Sequence, residues 1–184
     1  MFHAVKGTLL LVAALALSAF YPARLSPDVT PMQQMYIIKE IQPSIERLGI
    51  IWNKATHDDE VLLKIRRAGT SLKVKLFLAE VSDLSDIAPQ FRILTRKHKV
   101  EAIWVIKNDG LVDSPIGKDF LIKNTVKAGV LLLAPSEDWV SEGAFIAMKR
   151  QDNRIHLVVN KSVAEALKLV VPEKYAERTQ FAGL

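Results

Sequence analysis

The chain has 184 residues, of which 49% are hydrophobic, and this suits one globular domain preceded by a short extra segment. It has no cysteine, so disulfide bonds and a lipid anchor on an N-terminal cysteine are both excluded. The net charge of +5 comes from scattered Lys and Arg residues without interleaved aromatic residues, which argues against nucleic-acid binding. The densest basic cluster, Arg92–Lys99, is interpreted as the solvated last turn of a helix, where cations oppose the helix dipole.

Residues 1–18 have the pattern of a secretory signal peptide. Lys6 gives a positive start, Leu9–Leu17 is apolar, and small residues permit cleavage after Ser18 or Ala19. The alternative is an uncleaved anchor. However, the apolar run covers at most 12 residues, whereas a spanning helix needs roughly 20. We therefore expect a periplasmic or secreted protein that is not a lipoprotein.

Residues 19–44 form an N-terminal segment that is rich in proline and holds one predicted helix, Met32–Ile41. Thr30 is its predicted cap and Pro31 its first residue, a position that proline favours. One face of this helix would be apolar and adhesive. Its side chains are those of Met32, Met35, Tyr36 and Ile41.

From Leu48 onward, strands and helices alternate in the prediction. The predicted strands are Leu48–Trp52, Val74–Val81, Ala102–Ile106 and Val130–Ala134. The predicted helices are Asp58–Leu72, Asp86–His98 (entered from Ser85), and a third that starts at Ser114-Pro115 and ends at Gly129. The first, third and fourth strands are continuous apolar runs, which is typical of parallel strands covered by helices on both faces.

The tail has a different pattern. Ala144–Met148 and Arg154–Val159 are predicted strands joined as a hairpin at Gln151–Asn153, followed by a helix at Val163–Leu169 and a short helix opened by Pro172. The predicted fold is thus α/β: a three-layer sandwich with a mainly parallel sheet, of flavodoxin-like or periplasmic-binding-protein type, with a C-terminal hairpin. Residues 45–184 would form this single domain.

In open parallel sheets, ligands bind beyond the carboxyl ends of the strands, near the point where the strand order reverses. The first such loop is Asn53–Asp59. Thr56 and Asp59 approximate a capping box for the next helix, and the alternative is a ligand role for Asn53 or Thr56. A metal site is disfavoured because His57, Asp58 and Asp59 are adjacent, so their side chains diverge on a helix.

Two further loops carry candidates. Asp109 could pair with a ligand amine or could simply form a turn in its Asp-Gly dipeptide. Ser136 could donate to a ligand carboxylate, and Trp139 could stack on a ligand or pack in the core. No serine-nucleophile elbow, dinucleotide or triphosphate motif, or metal-binding histidine pair occurs, so neither an enzyme nor a cofactor is expected.

Three stretches resemble one family. TPMQQMYIIKEIQPSIERLGIIWN (Thr30–Asn53), AIWVIKND (Ala102–Asp109) and VLLLAPSEDWVSEGAFIAM (Val130–Met148) resemble the second lobe of ABC-transporter substrate-binding proteins of the tryptophan/tyrosine-binding type. The resemblance implies a ligand cleft lined at three pairs of positions. These pairs are Asn53 with Thr56, Asn108 with Asp109, and Ser136 with Glu137.

That family has two lobes that close on the ligand, and here the first lobe is absent. A half-site buries too little of a small ligand to bind it tightly, so a homodimer or a partner protein would have to close it. The resemblance implies a small organic solute and a membrane permease as partners.

The tail, Arg154–Phe181, is instead similar to the closing segment of the YfiR-like periplasmic regulators. That second resemblance implies protein–protein contact with a membrane signalling protein, a diguanylate cyclase. Because the cysteines usual in those regulators are missing here, redox control does not transfer.

Overall fold

The computed structural model describes residues 28–53, 55–56, 59–107 and 109–183. The predicted signal peptide lies outside this part of the chain. Within the described residues, no helix combines the length and the apolar character that a membrane span requires.

Seven strands form one sheet at the centre of the molecule. They are β1 (Arg47–Trp52), β2 (Lys75–Glu80), β3 (Ala102–Val105), β4 (Leu131–Ala134), β5 (Ile146–Gln151), β6 (Arg154–Asn160) and β7 (Thr179–Ala182). Their order is β2-β1-β3-β4-β5-β6-β7. Only the β5–β6 pair is antiparallel among these neighbours. The predicted parallel sheet and C-terminal hairpin are therefore confirmed.

Helices cover both faces of the sheet. They are α1 (Pro31–Ile41), α2 (Asp59–Leu72), α3 (Leu84–Arg92), α4 (Pro115–Ala128), α5 (Glu137–Ser141) and α6 (Lys161–Ala166). A π-helical turn, Ile93–Lys97, extends α3, and a 3₁₀ helix, Glu173–Arg178, precedes β7.

Alternation along the strands divides the core in two. Ile50 and its same-face neighbours pack under α1 and α2, whereas Ile51 and its neighbours pack under α3, α4 and α5. Burial of both faces explains why β3, β4 and the part of β1 that follows Arg47 are apolar. The three-layer α/β sandwich predicted from the sequence is confirmed.

The predicted signals at the ends of two helices are also confirmed. Thr30 and Gln33 form a reciprocal capping box at α1, with Pro31 as the first helical residue. At α4, the hydroxyl of Ser114 accepts from the amide of Gly117, and Gly129 closes the helix with a left-handed φ of 66°.

Other local predictions were wrong. The second predicted helix begins at Leu84, not Asp86, because Asp83 rather than Ser85 is its cap and accepts from the amide of Ser85. The predicted apolar face of α1 is divided: Met35 and Ile41 are buried in the core, while Met32 and Tyr36 stay exposed. The first described helix is therefore an integral part of the sandwich.

Candidate functional site

A pocket of about 570 Å³ lies at the carboxyl ends of the central strands. It borders the residues that end β3, β4 and β5, and it adjoins the loop after β1. The strand order reverses between β1 and β3, so the pocket occupies the position where open α/β sheets bind ligands.

Three of the predicted site residues line this pocket: Thr56, Ser136 and Glu137. Ser136 precedes α5, but its hydroxyl does not cap that helix. The hydroxyl of Thr56 donates to the carbonyl of Asn53 at 3.0 Å in the turn before α2. His57 and Asp58 lie outside the described residues, so the capping box predicted for Thr56 and Asp59 stays a prediction.

Apolar side chains form the floor of the pocket. Val61 and Ile65 come from α2, Trp104 from β3 and Met148 from β5. Ile65 and Trp104 are almost wholly buried in the core, so this floor is fixed by the packing of α2 on the sheet. A solute with an apolar portion would bury it here.

Asp109 holds the loops together and does not line the pocket. Its side chain is fully buried. One carboxylate oxygen accepts from the amide of Asn53 at 2.6 Å, and the other accepts from the amides of Leu111 and Val112 at 3.2 and 3.1 Å. Of the two predicted roles, the turn-forming one describes this geometry, and a pairing of Asp109 with a ligand amine stays a prediction.

Asn53 also serves the loop architecture. Its side-chain oxygen accepts from the amide of Ala55 at 2.9 Å, which makes a tight turn directly after β1. The backbone amide of Asn53 donates a hydrogen bond to the carboxylate of Asp109. Asn108, the remaining predicted residue of the pair, lies outside the described residues.

Trp139 is buried rather than available for stacking. Only 1% of its surface is exposed, and its indole N–H donates to Asp113 Oδ1 at 2.6 Å. This bond ties α5 to the loop that follows β3. The packing alternative predicted for Trp139 is therefore the one the structure contains.

Cations that the sequence interpretation did not single out surround the mouth of the pocket. Lys107 pairs with Asp28 at 2.8 Å, and Lys149 pairs with Glu137 at 2.6 Å. These two pairs balance their charges locally. The signal that could have identified Lys149 is its place at the carboxyl end of β5, next to the loop of Ser136 and Glu137.

Arg150 differs from these lysines. Its guanidinium donates to the side-chain oxygen of Gln33 at 2.9 Å and to the carbonyl of Asn153 at 3.5 Å. No carboxylate of the described residues balances its charge, and its Nε is buried without an acceptor there. An unsatisfied buried donor costs stability, so this group is the pocket's natural place for an anion.

No group of three His, Asp or Glu side chains within the described ranges is placed to hold a metal ion. The pocket's polar side chains carry two hydroxyls, one amide, two lysine amines, two carboxylates and one guanidinium. Such groups can orient a charged organic molecule by hydrogen bonds and ion pairs.

The family profile described as "ABC transporter substrate binding protein" matches residues 24–175. This match covers most of the sequence, and the chain belongs to that family. The matched region extends well into the tail that resembles the YfiR-like proteins. A search of curated proteins finds no significant match.

Solved structures share the fold at low identity. A conserved domain protein from Vibrio cholerae O1 biovar El Tor superposes with a TM-score of 0.70 and 18% identity over 84% of this chain and 61% of the other. The ABC domain from Streptococcus pneumoniae in complex with L-Trp superposes with a TM-score of 0.71 and 15% identity, over 83% of this chain and 60% of the other. A substrate-binding protein with adhesive properties from Clostridium difficile, in its ligand-free open form, superposes with a TM-score of 0.66 and 14% identity. The superposition covers 85% of this chain and 61% of the other.

The chain thus spans about 60% of the length of these structures. The likeness establishes the periplasmic-binding-protein-like fold of the single lobe.

Proposed function

We propose that this chain is an exported, non-catalytic solute-binding protein that recognises a small organic solute at the pocket at the strand ends. The observation that carries the proposal is the convergence of Thr56, Ser136 and Glu137 on one pocket at the strand-order reversal, in a member of a substrate-binding family. The L-Trp in the pneumococcal structure supports an amino acid or a related molecule as the solute class.

The chemistry of the pocket favours a solute with a carboxylate and an apolar portion. Arg150 supplies an unbalanced positive charge, and Ser136 supplies a hydroxyl. The apolar floor around Trp104 and Met148 would bury the rest of the molecule. Glu137, already paired with Lys149, would lie beside the solute's amino group.

One lobe encloses only one side of a solute. A second copy of the chain, or a partner protein such as a membrane permease, would supply the other side, and binding to the lobe alone would be weak. We therefore expect dissociation constants near the millimolar range, a free energy of only about −4 kcal/mol.

A thermal-shift titration with amino acids and related organic anions tests the proposal. A bound solute raises the melting temperature by mass action, so a rise that grows with concentration is expected for at least one carboxylate-bearing solute. R150Q should abolish that rise. R154Q is the matched control because Arg154 lies on the neighbouring strand and does not line the pocket.

If no solute in the panel shifts the melting temperature at millimolar concentration, the solute-binding proposal fails. If a solute binds equally well to R150Q and the wild type, the pocket is retained but its anion-binding group is wrongly assigned. The melting temperature of ligand-free R150Q separates lost binding from lost folding.

The alternative proposal is a YfiR-like regulator that contacts a membrane signalling protein. The observation in its favour is the exposure of Met32 and Tyr36 on α1. A Met32→Asp/Tyr36→Asp variant should lose binding to the periplasmic sensor domain of a diguanylate cyclase. Absence of binding by the wild-type chain would reject this alternative.

A further inference from the structure

A second depression lies at the opposite end of the sheet from the solute pocket. This basic groove has a volume of about 620 Å³ and lies between α3 with its π-helical turn on one side and α4 on the other. It adjoins Val100 and Glu101 before β3, and Gly129 and Val130 before β4. It therefore opens at the amino ends of the strands.

Four exposed cations line the basic groove: Arg92, Arg96, Lys99 and Lys127. None of them pairs with a carboxylate in the part of the chain that the structure describes. The one acidic residue among the described lining is Glu101, and the guanidinium and amide of Arg47 together with the amide of Glu46 occupy its carboxylate. The groove is thus strongly positive.

The ends of the helices do not account for this charge. A cation within the last turn of a helix opposes its dipole, which suits Arg96 and Lys127. Lys99 lies beyond the helix in a left-handed conformation with a φ of 52°. Arg92 lies in the last turn of α3, where its charge also opposes the dipole, but it is one turn from Arg96, so the two like charges repel. A π-helical turn is itself rare and occurs frequently at functional sites.

Two neutral polar side chains of the groove, those of Thr95 and Asn124, are already engaged. The hydroxyl of Thr95 donates to the carbonyl of Phe91 at 2.8 Å, and the amide of Asn124 donates to the carbonyl of Phe120 at 2.7 Å. Phe91 and Phe120 meet edge to face at 5.7 Å and stiffen the groove between the helices. Recognition would therefore depend on the cations.

We propose that the basic groove binds a ligand carrying at least two phosphate groups. Arg and Lys are the side chains that bind phosphate oxygens most strongly, and four of them match the charge of two phosphates. A soluble molecule with two phosphates carries this chemistry, and so does a membrane surface on which the single-phosphate head groups of anionic phospholipids lie side by side. The site is separate from the solute pocket and does not depend on its function.

The test compares two charge-matched double variants of the full chain. Arg96→Gln/Lys127→Gln removes two cations from the groove, one from each wall. Lys64→Gln/Lys123→Gln removes two cations that pair with Glu60 and Asp119 and lie outside it, so the net charge of both variants is the same. Calorimetry with pyrophosphate and co-sedimentation with phosphatidylglycerol or phosphatidylcholine vesicles measure binding.

We expect the groove variant to lose roughly tenfold or more in affinity while the control variant stays within about twofold of the wild type. Binding should also weaken as the salt concentration rises. Selective loss of pyrophosphate binding indicates a soluble ligand. Selective loss of binding to phosphatidylglycerol vesicles, without pyrophosphate binding, indicates lipid head groups.

Three results would overturn the proposal. The first is that the wild type binds neither pyrophosphate nor phosphatidylglycerol vesicles. The second is an equal loss in both variants, which would reduce the effect to net charge. The third is unchanged binding with a lower melting temperature in the groove variant, which would assign these cations to the helix ends alone.

Discussion

Asp109 joins two loops that would otherwise be independent. Its carboxylate is fully buried and accepts hydrogen bonds from three backbone amides, one after β1 and two after β3. Charge-assisted hydrogen bonds to amides are among the stronger polar contacts in a protein. The rim of the solute pocket is therefore held from beneath by one side chain.

Replacing Asp109 by Asn should destabilise the protein. The Asn side chain keeps one acceptor oxygen but directs an amide donor towards backbone donors, which leaves at least one buried N–H without a partner. We expect the free energy of unfolding, measured by urea titration, to fall by about 2–3 kcal/mol.

Asp113→Asn is the control for that variant. Asp113 is exposed and accepts the indole N–H of Trp139 through one oxygen, which Asn can still supply. The free energy of unfolding of Asp113→Asn should therefore fall by only about 0.5–1 kcal/mol. Equal losses in the two variants would contradict the linking role given to Asp109.

At the residue scale, sequence reasoning selected three residues that line the pocket at the strand ends, but it could not assign every side chain. The apolar runs ending at Trp52 and Ala134 correctly indicate where loops begin, and Thr56 and Ser136 follow from them. The orientation of Asp109 depends on an amide 56 positions earlier in the chain. No local pattern carries that contact, so burial of the carboxylate was not predictable.

At the scale of elements, α4 shows how closely helices and loops are packed. Gly117 lies in its first turn, and a Cβ atom there would approach the carbonyl oxygen of Val112 to 2.6 Å. A backbone atom cannot yield as a side chain can. The start of α4 therefore requires glycine for reasons of space.

Gly117→Ala should destabilise the protein even though alanine favours helices. The propensity gain is about 1 kcal/mol, whereas overpacking against backbone costs roughly 1–3 kcal/mol. We expect a net fall of up to about 2 kcal/mol in the free energy of unfolding measured by urea denaturation. Gly110→Ala is the control, because a Cβ atom at Gly110 has nothing within 4 Å, and it should leave stability unchanged.

Elements with strong local signals were predicted well. The Ser114-Pro115 start and Gly129 end define α4 in the sequence and in the structure alike. The short α5 and β7 were missed, since five and four residues are too few to show a period. The strand β7 is specified by pairing with β6 rather than by its own residues.

At the scale of the whole molecule, the tail is bound to the first described helix. The side chains of Lys174 and Tyr175 both bond to Glu40 on α1. Burial alone would raise the pKa of Glu40, but hydrogen bonds from Lys174, Tyr175 and Tyr36 outweigh it and hold the pKa below the ordinary value of 4.5. Burial, followed by the bond to Glu40, raises the pKa of Tyr175, which therefore remains a donor.

This link should make stability depend on pH. A carboxylate with a lowered pKa in the folded state stabilises the protein above about pH 4.5, and the contribution is lost as the pH falls through the folded pKa. Glu40→Gln should cost about 1–2 kcal/mol at pH 7, and its difference from the wild type should shrink towards pH 3.

Denaturation curves at several pH values measure this effect. The matched control is Glu177→Gln, which removes an exposed carboxylate from the 3₁₀ helix that carries Lys174 and Tyr175. The free energy of unfolding of Glu177→Gln should differ little from that of the wild type at every pH. A constant gap between Glu40→Gln and the wild type across the range would contradict the assigned role of ionisation.

The contact between Glu40 and Tyr175 joins residues 135 positions apart in sequence. Because synthesis proceeds from the amino end, α1 is made well before the partner of Glu40. Contacts of such separation also form late in folding because their loops are entropically costly to close. The sandwich therefore has a built-in order of assembly, in which the bonds of Glu40 to Lys174 and Tyr175 form only after the 3₁₀ helix has been made.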